Sequence, residues 1–309
     1  MPVDRSESEV WAKDASGILV RDGHQMSIQV SNGPQTFLDL KGLALQVLEV
    51  FEEANIRLAK NSDISFLVSQ AVQLSDSWLI GYLPVDDPLP LLRAYQMDRV
   101  AKAILPLRNL PGARSYLKDM SNGSLNPFMR IRSKAKDTLW ELELWSILKT
   151  MSFEARLAEP DIRVVTASGE IGLACKKVYA EKNFPKVLSE GVRQIGSHGK
   201  IGMIAVNLDD LLPAGAMVIA PDIKGYSAAL SNYNLEFMQR NERNLRKYLS
   251  SGRSVAALVS TSIPGRIPNA EGMVFSSRQT AIWSLPGLAE PMYGHVSEFR
   301  DVLFNGHGP

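Results

Sequence analysis

A single cysteine, Cys175, in 309 residues excludes a disulfide framework and any zinc site built on cysteines of one chain. The four histidines, His24, His198, His295 and His307, are scattered with no ligand spacing, so nothing in the sequence points to a zinc centre. Neither sign of charge dominates. Lysines and arginines number 34 against 33 acids, a net charge of +1, and any contact with nucleic acid must come from local basic clusters. No run approaches the roughly 20 apolar residues that span a bilayer, and the opening MPVDRSESEV lacks the apolar stretch of a secretory signal. G-x-G-x-x-G, the P-loop and G-x-S-x-G are all missing, which removes the common signatures of a small-molecule enzyme on an α/β sheet. A lone thiol suits a reducing compartment, and the expectation is a cytoplasmic protein with no membrane segment.

What is present is the composition of a globular chain, 45% hydrophobic and 22% charged, long enough for one large domain or two ordinary ones. QMSIQV reads as a strand, and helical periodicity runs from about Phe37 to Lys60. SFLVSQAVQLSDSWLIGYL is apolar and ambiguous. The proline-rich LPVDDPLPLLRAYQ predicts a turn into a helix over about Leu91 to Leu105. KDMSNGSLNPF, rich in Ser, Asn, Gly and Pro, reads as a boundary between an α+β module, residues 1–124, and a second domain, residues 125–309. Beyond it the reading is a helix from Ala135 to Met151, a short strand from Phe153 to Leu157, and a strand pair, Ile162–Val165 and Ile171–Val178, around ASGE. A helix from Phe184 to Ile195, weakened by Gly191, then leads to a buried strand, IGMIAVNL. A long helix from about Ala228 to Leu249 and two strands, VAALVSTS and MVFSSRQTAIWSL, complete the chain. The order predicts a central mixed sheet covered by helices.

The hairpin holds the chemistry. With Ser168-Gly169 as a two-residue loop, facing residues have numbers that add to 337, and Asp161 lies opposite Lys176. Facing residues on paired strands have Cβ atoms about 4.5–5.5 Å apart. Alternation puts Ala174 and Lys176 on one face and turns Cys175 away. With no histidine near it in sequence, Cys175 reads as a buried small hydrophobe.

The sequence of an acid-bearing helix (WELEL, Trp140 to Leu144), EPD (Glu159 to Asp161), GLACKK (Gly172 to Lys177), EGVRQI (Glu190 to Ile195) and IGMIAVNL resembles the PD-(D/E)XK restriction-endonuclease-like superfamily. The resemblance covers about Ala135 to Leu208 and departs from the pattern at Ala174, where a strand acid is expected. Some members of that superfamily take this acid from the following helix, and here Glu190 has the spacing for it, with Gln194 one turn further on the same face. The resemblance implies Mg²⁺ or Mn²⁺ held by Asp161, Glu190 and Glu141, with Lys176 stabilising developing negative charge. Glu143 competes with Glu141 for its role, and Gln194 is an accessory.

Two basic stretches are candidate phosphate contacts: Arg130, Arg132 and Lys134 before the first helix of the second domain, and Arg240, Arg243 and Arg246 at intervals of three. The function implied is metal-dependent hydrolysis of DNA in restriction or antiviral defence by a homodimer or larger assembly, the first module serving recognition or a protein partner. The competing expectation, carried by Ala174, is an inactive nuclease-like subunit that binds DNA or acts as a scaffold.

Overall fold

Apolar residues that alternate along the central strands fill two separate layers, one on each face of a mixed sheet. The computed structural model describes the backbone of residues 12–13, 19–20, 24–30, 35–81, 88–197, 201–222, 233–250, 252, 254–267, 272–285 and 288–305. The strands are β1 (Ala12–Lys13), β2 (Leu19–Val20), β3 (His24–Val30), β4 (Gln35–Thr36), β5 (Glu154–Ala158), β6 (Asp161–Thr166), β7 (Gly169–Lys177), β8 (Gly202–Asn207), β9 (Val218–Ile219), β10 (Ser254–Arg266) and β11 (Met273–Ser284). The helices are α1 (Phe37–Glu53), α2 (Asp63–Leu79), α3 (Leu89–Ile104), α4 (Ala113–Ser121), α5 (Lys134–Thr150), α6 (Phe184–Ser197), α7 (233–240), α8 (Glu242–Leu249) and α9 (Met292–Asn305).

The main sheet runs β3-β11-β10-β8-β7-β6-β5. β5, β6 and β7 form an antiparallel meander, β7, β8 and β10 are parallel, and β11 and β3 continue antiparallel. The expected mixed sheet flanked by helices is present. Within it, α5 to β8 follows the order helix, three strands, helix, strand. β8 is buried along its whole length, as a central parallel strand covered on both faces must be.

Parity sorts the core. Leu173, Cys175, Met203, Ala205 and Leu258 face the layer of α1 to α5 and α9. Ala174, Ile204, Val206, Ala257 and Val259 face α6, α7 and α8. The first layer is continuous across the boundary expected at 124/125: Leu40, Met97, Trp140 and Phe299 belong to one buried cluster. β3 also lies in the same sheet as the strands of the C-terminal half.

Several boundaries differ from the sequence reading for identifiable reasons. The ambiguous apolar stretch is helical, as α2, capped by Ser62. The helix expected to reach Lys60 ends at Glu53, where Asn55 takes a left-handed conformation (φ 54). The long helix expected to Leu249 breaks at Asn241 into α7 and α8, and its first residues, 228–232, lie outside the described residues, as does the expected turn at 82–87.

The hairpin register is also corrected. Thr166 pairs with Gly169, so the loop is Ala167-Ser168 and facing numbers add to 335, not 337. Gly169 enters the strand with φ 117, a region open mainly to glycine, and the Thr166 hydroxyl donates to its carbonyl at 2.8 Å. Asp161 therefore stands at the level of Ala174 and not of Lys176. A shift of two positions preserves every face. Among the described residues no helix is long and apolar enough to cross a membrane.

Candidate active site

Asp161 opens β6 at the end where β7 finishes, and close packing of glycine and proline sets its position. A Cβ on Gly172 would stand 2.7 Å from the ring of Pro160, so only glycine admits that approach. The Asp161 carboxylate then accepts from the Cys175 amide at 2.7 Å and from Gln194 Nε2 at 3.0 Å, and Lys176 Nζ stands 3.4 Å away. Lys176 donates to Gln194 Oε1 at 2.5 Å and to the Cys175 carbonyl at 2.9 Å. Gln194 also donates to the Pro160 carbonyl. One amide thus ties carboxylate, lysine and the chain before the strand together.

Rotation of α6 delivers Gln194. Phe184, Leu188 and Ile195 bury against the sheet, and Gly191 lets the helix settle on Ile204, where a Cβ would lie 3.0 Å from the side chain. Glu190, one turn back, is half-exposed and lies 4.0 Å from Lys186. Among the described residues, no group of three or more His, Cys, Asp or Glu stands ready to hold a metal.

Glu141 reaches this end from α5, which two indoles fasten to the sheet: Trp140 Nε1 donates to the Ala205 carbonyl at 3.0 Å and Trp145 Nε1 to that of Ala155 at 3.1 Å. Burial, then the negative charge of Asp161, push the Glu141 carboxyl up to about 7. Burial also raises Asp161, against the pull of Lys176 and of the hydrogen bonds from Gln194 and Cys175. Burial first, then Asp161 and Glu141, hold the Cys175 thiol well above its ordinary range, so this buried cysteine is no thiolate nucleophile. Tyr116 of α4, half-buried, is raised by burial and then by Glu141 and Asp161. Its presence beside the acids had no signal in the sequence.

The other expected residues lie elsewhere. Glu143 is buried on the far side of α5, where Arg99 grips it at 2.6 and 2.7 Å and Arg278 at 2.8 Å. Arg99 also binds Asp209 at 2.7 Å. Arg130 donates to the carbonyls of Asp209 and Leu212, Arg132 pairs with Asp137 and Lys134 with Asp119. Arg240 is held by Glu181 and Arg246 by Glu242, while Arg243 is exposed. The break at Asn241 puts Arg240 on a different helix from the other two.

Asp161, Lys176 and Gln194 are thus in direct contact, and Glu141 is coupled to them by charge. The set places a lysine ammonium beside a buried carboxylate, with a second carboxyl close enough to feel its charge. No family model, curated protein or solved structure matches the chain.

Proposed function

We propose that this end of the sheet is a divalent-cation-dependent centre that hydrolyses DNA phosphodiesters. The observation that carries the reading is the convergence of Asp161, Lys176 and Gln194 where β6 meets the end of β7. The order of α5 to β8 supports a restriction-endonuclease-like core around it.

The donors fit a hard cation. Asp161 and Glu141 supply two carboxylates, the number Mg²⁺ commonly takes from protein while water and substrate fill the remainder. Their mutual repulsion, felt in the upward shift of Glu141, is what a cation would relieve. When bound, such an ion polarises the phosphoryl group and acidifies a bound water. Lys176 would donate to a phosphoryl oxygen as negative charge grows there. Gln194 holds the Lys176 ammonium and the Asp161 carboxylate in register, a positioning task. Restriction or antiviral defence, and a homodimer that cuts both strands, extend the same reading.

The ion pair between Lys176 and Asp161 favours one rival. A lysine that neutralises the carboxylate is also what an inactive, DNA-binding or scaffolding subunit would retain.

Cleavage of plasmid and linear duplex DNA with Mg²⁺ or Mn²⁺ separates the two. Asp161→Asn and Lys176→Ala are expected to lose about 100-fold or more in rate, and Gln194→Ala about tenfold. Glu190→Ala is expected to keep most activity, because its carboxylate lies outside the contacts that hold Asp161. Wild-type protein that neither cuts DNA nor binds Mn²⁺ sinks the nuclease and leaves the subunit.

A further inference from the structure

Lys177, next to Lys176, points to the opposite face of β7, into a concavity that the proposed nuclease does not use. It lies at the carboxyl ends of the parallel strands β7 and β8, beside the second half of β10, and such strand ends are where open α/β sheets place ligand sites. Lys177 Nζ binds Asp210 at 2.8 Å and Asn207 at 2.6 Å, and Lys136 binds Asp210 at 3.1 Å. Both lysine side chains are at least nine-tenths buried.

Charge in this wall does not balance. Arg99, Arg130, Lys136 and Lys177 face Asp209 and Asp210, four cations against two carboxylates, around a cavity of about 70 Å³. Glu143, which Arg99 and Arg278 share behind this wall, brings the cluster to five cations against three carboxylates. Cations left in excess inside a partly dehydrated wall attract an anion far more strongly than they would in water. The space exceeds the 10–15 Å³ or so that a single water needs, which leaves room for a small polyatomic head group.

A second hollow, of about 170 Å³, shares Leu92, Gln96, Leu125 and Pro127 with the first, and its remaining lining includes Phe66, Leu67 and Phe128. Gln96 stands in the common wall, 3% exposed. Its Nε2 donates to the Leu125 carbonyl at 3.1 Å, which fixes the amide in that wall.

We propose that the two hollows form one site for a small aromatic anion. Its phosphate or carboxylate head lies among Arg99, Arg130, Lys136 and Lys177, and its ring lies between Phe66 and Phe128. The site is independent of the nuclease reading, since its walls share no residue with Asp161, Lys176, Gln194 or Glu141.

The test is calorimetric titration of the full chain in EDTA with adenosine monophosphate, phenyl phosphate, adenosine and inorganic phosphate. Either or both of the aromatic phosphates are expected to bind at least about tenfold more tightly than phosphate or adenosine. Arg130→Gln removes the most exposed of the four cations and is expected to weaken that binding by about tenfold, with rescue by Arg130→Lys. Phe128→Ala, in the wall of the second hollow, weakens it while inorganic phosphate is unaffected. Asp161→Asn leaves it unchanged. The proposal is overturned if neither aromatic phosphate binds more tightly than inorganic phosphate, if Arg130→Gln and Phe128→Ala, shown by melting to be folded, bind as wild type does, or if Asp161→Asn abolishes binding.

Discussion

Glu141 titrates in the opposite sense to a carboxylate held by an arginine. Its folded value of about 7 lies above its ordinary value of 4.5, so between the two the folded chain holds the proton more tightly than the unfolded chain does. Stability from this group falls as pH rises from about 4.5 to about 7 and stays low above that. In EDTA, Glu141→Gln should therefore melt higher than wild type at pH 8, by on the order of 2 °C, and alike at pH 4.5. An equal difference at both pH values would show that Glu141 is not the group that titrates. Sequence order grouped Asp161 with Lys176 because the hairpin pattern is local, and the two side chains stand 3.4 Å apart. It named Glu190 as the second acid and Gln194 as an accessory, and it is Gln194 that touches Asp161 while Glu190 lies near Lys186, because side-chain identity does not reveal helix rotation. That rotation depends on how Gly191 meets Ile204, and Gly191 reads in sequence only as a weak helix position. The bond between Arg99 and Asp209 joins residues 110 positions apart, and no local pattern encodes such a pairing.

Elements in the C-terminal half were largely legible because alternation and helical periodicity persist through buried strands and amphipathic helices. Turns were less so: one residue's error in placing the β6–β7 loop changed the partner of Asp161 yet left its face intact. Helix α7 shows how an element is tied down by polar contacts that periodicity misses. Asn234 is fully buried. Its Nδ2 donates to the Gln279 carbonyl at 3.0 Å, and its Oδ1 accepts from the Thr261 hydroxyl at 2.5 Å, clamping α7 to β10 and β11. Asn234→Ala leaves a buried hydroxyl and a buried carbonyl without that partner. Chemical denaturation is expected to show a loss of about 2–4 kcal/mol, and a loss below about 0.5 kcal/mol would mean that the clamp does not hold the helix.

At the scale of the molecule, the two halves of the chain behave as one packing unit. β3 pairs along β11, and the core layer under α5 is completed by α1 to α3. A fragment of residues 125–309 would expose the flank of β11 as an unpaired edge and strip one side of its apolar layer, both of which favour aggregation over folding. The fragment alone is expected to lack a cooperative melting transition, and co-expression with residues 1–124 to restore one. A cooperative melt of the isolated fragment would instead establish two independent folding units.

The neighbours Lys176 and Lys177 diverge to opposite sides of β7, one to Asp161 and the other to Asp210. This strand is consequently intolerant of frameshifts in space. Inserting or deleting one residue before Lys176 within β7 would swap the destinations of both lysines and disable two locations with a single event. The Ala167-Ser168 loop, outside the ladder, can absorb added length without that penalty. Across descendants of this chain, length variation should therefore accumulate in the loop, while the nine residues of β7 keep their number even where their identities drift.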